Sequence, residues 1–162
     1  MAEPTRDANA QGLGVVWQEG MLLSPQHFQQ MERANHLRLT QRFRFSEPFG
    51  YGLRSFTLDD QALLHGRFSL IRAAGVFPDG TPFDFPVSDL APLPLDIPAD
   101  AKDERIVLAL PLRRQGALEA DIEGRDSIGL TRYATEEIDV GDNTLANAPT
   151  ALVQVGRLRL AL

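Results

Sequence analysis

Chemistry in this 162-residue chain would first be sought among three histidines, His27, His36 and His65, and a few close carboxylates. Glu32 and His36 stand four residues apart, and on a helix they would share a face, the minimum arrangement for two metal ligands. His27 falls on the opposite side of such a helix from His36 and precedes Glu32 by only five residues. No third ligand is in register, and a solvated surface pair is the simpler reading. Asp139, Asp142 and Asn143 follow Glu136-Glu137, but they lack the spaced oxygens and bidentate glutamate of a calcium loop. The doublets Asp59-Asp60 and Glu136-Glu137 contain acids suited to proton transfer. Adjacent residues of a strand point to opposite faces, so Glu136 and Glu137 cannot converge locally. Gly12-Leu13-Gly14 and Gly50-Tyr51-Gly52 are bare fragments of a phosphate loop, with no strand before them and no helix opening on a third glycine. There is no Ser-His-Asp order and no Gly-x-Ser-x-Gly elbow. Cysteine is absent, which removes thiolate metal sites, thiol catalysis and disulfides. The expectation is a chain that is not an enzyme and carries no metal or cofactor.

Composition narrows the class further. Hydrophobic residues make up 43% and charged residues 23%, a globular balance at the size of one domain. Twenty-two acids against 16 basic residues leave a net charge of −6, the wrong sign for a nucleic-acid surface. Of the basic residues only Lys102 is lysine. Arginine suits planar interface contacts, although an arginine-biased genome explains the same count. No apolar run reaches the ~20 residues of a membrane span, and Met1–Leu13 lacks a signal-peptide core. These features imply a soluble chain without membrane insertion.

The elements follow from local signals. Residues 1–14 are small, polar and aperiodic, and are expected to form a flexible arm. Ser24-Pro25 reads as an N-cap with proline at the first helical position, and no Gly or Pro interrupts the chain from there to about Arg44. At ~100° per residue Phe28, Met31, Leu39 and Phe43 fall within a third of the circumference and are expected to face the core. Asn35 sits in that stripe and should then be buried and hydrogen-bonded. Beyond Phe49 the pattern turns to strands: Tyr51–Leu58, Arg67–Ala74, Thr131–Val140 and Ala151–Leu162, with a possible helical turn over Asp59–Gly66. Phe77-Pro78-Asp79-Gly80-Thr81-Pro82-Phe83 reads as a hairpin. The prolines at 82, 86, 92, 94 and 98 exclude a central strand there. Ile106–Leu112, a continuous apolar run, reads as a buried strand, and Gly116–Gly129 as a loop. One helix followed by seven or eight strands gives a mainly β fold, a β-sandwich with an N-terminal helix packed on it. The apolar alternating end at Arg157–Leu162 suggests a piece of a longer protein.

The segment from Val16 to Gln30 is unusual in placing Trp17, Met21, Leu22 and Leu23 just before a helix cap. A hydrophobic staple at the helix entry accounts for part of it. Trp17, Glu19, Gly20, Leu23, Pro25, Gln26, Phe28, Gln29 and Gln30 closely resemble the N-terminal signature of the TssK family, also called ImpJ or VasE, of the bacterial type VI secretion baseplate. Pro48-Phe49-Gly50-Tyr51-Gly52, Phe77-Pro78-Asp79-Gly80-Thr81 and Ile106–Leu112 match further family segments in order, so the resemblance spans 15–162. His27 and Leu22 occupy variable positions, and the arm before Gly14 looks longer than usual.

The resemblance implies a single N-terminal domain over 15–162, without the family's C-terminal domains, folded as a β-sandwich similar to the shoulder domain of siphophage receptor-binding proteins. It implies a structural adaptor in the bacterial cytoplasm, at the inner-membrane-associated baseplate. Its partners would be the wedge proteins TssF and TssG and, through a homotrimer, itself. The membrane complex TssL/TssM would be reached only by the missing C-terminal part. The partner or subunit contact is expected at Trp17, Met21, Leu22, Leu23, Pro25 and Phe28, with Met21 and Leu22 the most exposed. Another class of protein, a carbohydrate- or ligand-binding β-sandwich module, would need aromatics lining a groove, and beyond the phenylalanines only Trp17, Tyr51 and Tyr133 are available. An unrecognised hydrolase is a third reading.

Overall fold

The structure is a computed structural model that describes residues 12–114, 117–122, 130–144 and 149–162. Residues 1–11 of the expected arm and most of the loop expected at Gly116–Gly129 lie outside the described residues. The chain runs α1 (Pro25–Ser46), β1 (Gly52–Leu58), α2 (Asp60–Leu64), β2 (Arg67–Phe68), β3 (Leu70–Val76), β4 (Pro82–Phe85), β5 (Leu95–Asp96), β6 (Tyr133–Val140) and β7 (Ala151–Leu158). The fold is mainly β, as the sequence indicates. Among the described residues the strands form three sheets: β1-β3-β4, β2-β5 and β6-β7. Pro82 opens β4, which lies at a sheet edge where a missing N–H is tolerated. The chain divides into two compact units, residues 1–52 with 76–81, and residues 53–75 with 82–162.

The first unit is built on α1. Ser24 is extended before the first turn, and Pro25 occupies the first helical position. The backbone N–H of Ser24 donates to His27 Nδ1 at 3.1 Å, and the Ser24 hydroxyl lies 2.8 Å from the same nitrogen. Nδ1 thus accepts from the Ser24 main chain. The side chain three residues into the helix thus takes the reciprocal role in a capping box, with histidine in place of Glu or Gln. At the far end Glu47 N–H returns to the Phe43 carbonyl at 2.8 Å, and Pro48 follows.

The turn between β3 and β4 belongs to this unit. Phe77 and Gly80 close it, the first through its N–H to the Thr81 carbonyl and the second through its N–H to the Phe77 carbonyl, both at 2.8 Å. The Asp79 carboxylate accepts from Thr81 N–H at 3.0 Å. Gly80 has φ of +86°, and a Cβ there would stand 2.6 Å from Thr40 Cγ2. Arg44 holds the same turn by donating to the Pro78 carbonyl at 2.9 Å. The helix accordingly buries its small residues, Ala34 and Thr40.

In the second unit Leu70, Ala73, Phe83, Phe85, Leu158 and Leu160 are buried. Phe83 and Phe85, two apart on β4, point to one side with ring centroids 6.4 Å apart. Asp89 is buried and its carboxylate accepts from Asp84 N–H at 3.1 Å, Ser88 Oγ at 3.1 Å and Leu158 N–H at 3.2 Å. It thereby satisfies two main-chain donors that strand pairing leaves over. Strands β6 and β7 pair antiparallel from Tyr133↔Leu158 to Val140↔Ala151. Arg157 Nε adds a 2.6 Å ion pair to Glu136 Oε1 across that ladder. Beyond β6, Thr144 donates twice to Asp142, and these bonds hold its exposed carboxyl below the usual value.

Two expectations need correction. Ile106–Leu112 is not a buried strand: it makes a single antiparallel bridge, Ala109↔Ala161, and Ile106, Val107 and Leu112 are exposed. An apolar run of β formers specifies extension, but whether a ladder forms depends on neighbours distant in sequence. The Phe28–Met31–Leu39–Phe43 stripe is not the core face of α1 either, for all four side chains are exposed. Asn35 is exposed with them.

Gly80→Ala should destabilise the chain by roughly 2–4 kcal/mol, because it adds a left-handed backbone penalty to a clash with Thr40. A denaturant midpoint measured beside a Gly141→Ala control, whose Cβ would meet open space, tests the close approach. Equal midpoints would show that the turn does not rest on the helix.

Candidate docking surface

The residues from Trp17 to Phe28 come together on the first turns of α1. Gly20, at φ +76°, lies inside the turn closed by the bond from Met21 N–H to the Gln18 carbonyl at 3.3 Å, just ahead of the helix cap. Trp17 then lies against that first turn, 6.1 Å between ring centroids from both His27 and Phe28. Both contacts are tilted, an arrangement that aromatic rings prefer over a flat sandwich. Before Trp17 the chain runs along the helix. Gln30 Nε2 donates to the Leu13 carbonyl at 2.7 Å, and a Cβ on Gly12 would stand 3.1 Å from Leu37 Cδ2. Residues 12–14 of the expected arm are therefore seated on α1.

Packing does not bury this cluster. Trp17 remains 47% exposed, Phe28 49%, Leu23 57% and Leu22 88%. Pro25 is exposed and Met21 is half-buried. The exposed surface continues along the helix through Met31, Leu39 and Phe43. Those positions lie about half a turn round the helix from Leu37, which Gly12 approaches, and away from Ala34 and Thr40, which are buried. Sequence periodicity found this stripe but assigned it to the core. The signal it passed over was the small size of Ala34 and Thr40, the second of which receives the Gly80 backbone.

A second concavity lies at the end of α1, a cleft of about 370 Å³ lined by Phe43, Glu47, Pro48, Tyr51, Phe77 and Pro78 among others. It is mostly apolar, and the guanidinium at its rim, Arg44, is already bonded to the Pro78 carbonyl. Such a wall can hold an apolar side chain but offers few directed polar groups for a sugar. Among the described residues no group of three or more His, Asp or Glu side chains could hold a metal ion. No described helix is long and apolar enough to cross a membrane.

Comparison with known proteins places this geometry. The family model described as Bacterial Type VI secretion, VC_A0110, EvfL, ImpJ, VasE matches residues 27–162. A curated relative, the type VI secretion system baseplate component TssK1 of Pseudomonas aeruginosa, is 40% identical over 141 residues, 85% of this chain and 32% of that protein. A crystal structure of TssK superposes with a TM-score of 0.84 at 36% identity, covering 93% of this chain and 34% of the other. A chain of the TssK–TssF–TssG baseplate subcomplex, solved by cryo-electron microscopy, gives a TM-score of 0.78 at 29% identity over 93% of this chain and 50% of its own. The chain thus spans about a third of the length of the curated relative.

If the exposed stripe is surface, Asn35→Leu should leave stability within about 0.5 kcal/mol of the parent. Ala34→Leu, which overpacks the buried side, should cost about 1–3 kcal/mol. Urea unfolding of the two variants side by side tests the assignment of faces, and the reverse order of effects would refute it.

Proposed function

The chain belongs to the bacterial type VI secretion family of ImpJ and VasE, and on that premise we propose that it is a docking module of the secretion baseplate that catalyses no reaction. The observation that carries the reading is the surface running from Trp17 through Leu22, Leu23 and Phe28 onto the outer stripe of α1. Large apolar side chains contiguous on a surface are usually completed by a partner, and aromatic residues and methionine are enriched at interface centres. The partners that suit it are the wedge proteins TssF and TssG, since a structural relative was solved in a complex with them.

Trp17, Met21, Leu22, Leu23, Pro25 and Phe28 form the contact in this reading. Leu22 and Leu23 project furthest, while Trp17 and Phe28 brace each other as a rigid aromatic base. Two aromatic rings already packed together lose little rotamer freedom on binding, which favours them as anchors. Self-association as a homotrimer falls to the same apolar surface or its continuation on α1. Linkage to the membrane complex TssL/TssM falls to the part of the relatives outside the matched third. The site of action is the cytoplasmic baseplate at the inner membrane. The buried carboxylate of Asp89 holds main-chain donors, a structural use that suits a scaffold.

The test is co-expression of the Leu22→Asp, Leu23→Asp double variant with the TssF–TssG wedge. The two side chains are exposed, so the thermal midpoint of the chain should stay within a few degrees of the parent, corresponding to changes of about 0.5 kcal/mol per site. Co-purification with the wedge should be lost. A variant that unfolds would make the segment structural, and a variant that keeps full wedge binding would remove it from the interface.

A further inference from the structure

The residue that closes the cap of α1 belongs to the one type whose charge changes near neutral pH. His27 Nδ1 accepts the Ser24 N–H at 3.1 Å and stands 2.8 Å from the Ser24 hydroxyl. Glutamate or glutamine ordinarily fills this place in a capping box, and neither changes charge near neutrality. An imidazolium carries a proton on both ring nitrogens and accepts nothing. Protonation of His27 therefore turns Nδ1 from an acceptor into a donor. The Ser24 hydroxyl can rotate and accept from it, but the Ser24 N–H loses its partner.

The surroundings weigh against a positive ring in this place. His27 lies in the first turn of a 22-residue helix, where free main-chain N–H groups oppose a cation, and that turn contains no acidic residue. The nearest charged residues along the segments that meet the ring are Glu19, ahead of the cap, and Glu32, five residues further into α1. Among the described residues neither makes a hydrogen bond or ion pair with His27. Trp17 favours the cation, with its ring centroid 6.1 Å away in a tilted arrangement. A ring that is 47% exposed gives a weak attraction, smaller than the lost main-chain bond and the helix-end repulsion together. The cap and the Trp17 seat share this one side chain, since Trp17 rests on His27 and on Phe28 at the same separation.

We propose that His27 is a proton-operated latch on the entry to α1. Neutral, it closes the cap and seats Trp17; protonated, it releases the Ser24 main chain and loosens the first turn together with Trp17. Leu22 and Leu23, which lie between Trp17 and the cap, lose their fixed direction in the open state. That consequence for docking rests on the wedge reading given above, whereas the latch itself does not.

The test follows the isotopically labelled 162-residue chain by NMR from pH 8 to pH 5. The His27 ring shifts report protonation, the Ser24 amide reports the cap, and the fluorescence of Trp17, the sole tryptophan, reports its seat. All three should change with one midpoint. Protection of the Ser24 amide, corrected for the intrinsic pH dependence of exchange, should fall about fivefold across it, the share of one net hydrogen bond. In His27→Gln, which keeps an acceptor without a charge, Ser24 protection and Trp17 emission should stay constant over the same range. His36→Gln and His65→Gln should retain the parent transition. A His27 ring that titrates while Ser24 and Trp17 stay unchanged would overturn the proposal, as would a ring that stays neutral down to pH 5. So would a Trp17 transition that persists in His27→Gln or disappears in His36→Gln. Should His27→Gln not fold, the shared midpoint in the parent chain decides alone. Every reading is made on the free chain, so failure of wedge docking leaves these outcomes unaltered, and absence of the latch leaves docking at neutral pH unaltered.

Discussion

The close approach of one turn to one helix governs how α1 is used. Gly80 comes so near Thr40 that no side chain fits between them, and Arg44 fastens the same turn through the Pro78 carbonyl. Thr40, beside Gly80, is buried along with Ala34, and Gly12 approaches α1 at Leu37. Gly50 approaches it at Phe43. Phe28, Met31 and Leu39 lie round the helix from Leu37 and stay exposed, so side-chain hydrophobicity does not mark the side of α1 on which backbone packs.

What was legible in the sequence follows the range of the interaction involved. Ser24-Pro25 located the helix start because capping is settled within three residues, and the glycine of Phe77–Thr81 located the turn because only a left-handed conformation closes it. Strands β6 and β7 were legible as the segments Thr131–Val140 and Ala151–Leu162, although their pairing with each other was not. The inward face of α1 was not legible, because hydrophobic periodicity weighs side-chain polarity and is blind to how near a backbone must come. Ile106–Leu112 failed for a related reason. Its residues favour extension, but pairing depends on Ala161, more than fifty residues away.

The apolar surface at the entry to α1 was half legible. The row of large residues before a helix cap was visible as more apolar area than a helix entry requires, and the family resemblance added weight to the same positions. The sequence did not show that Trp17 folds back onto His27 and Phe28, nor that Met21 turns partly inward while Leu22 stands clear. The pattern of chemical residues was read more simply. Carboxylates weighed for acid–base work or a calcium loop have structural partners: Asp59 caps α2, Glu136 pairs with Arg157, and Asp142 closes a turn on Thr144.

The exposed apolar surface of this chain sets a demand on any partner that covers it. A fully buried Leu, Met or Phe side chain contributes about 1.5–3 kcal/mol, and association costs an estimated 4–15 kcal/mol before any surplus appears. Leu22 and Leu23 together contribute about 3–6 kcal/mol, short of most of that range, so the wedge docking proposed above calls for Trp17, Phe28 and part of the α1 stripe to be covered with them. That demand favours a broad, preformed surface, and the Trp17–Phe28 packing supplies its rigid centre.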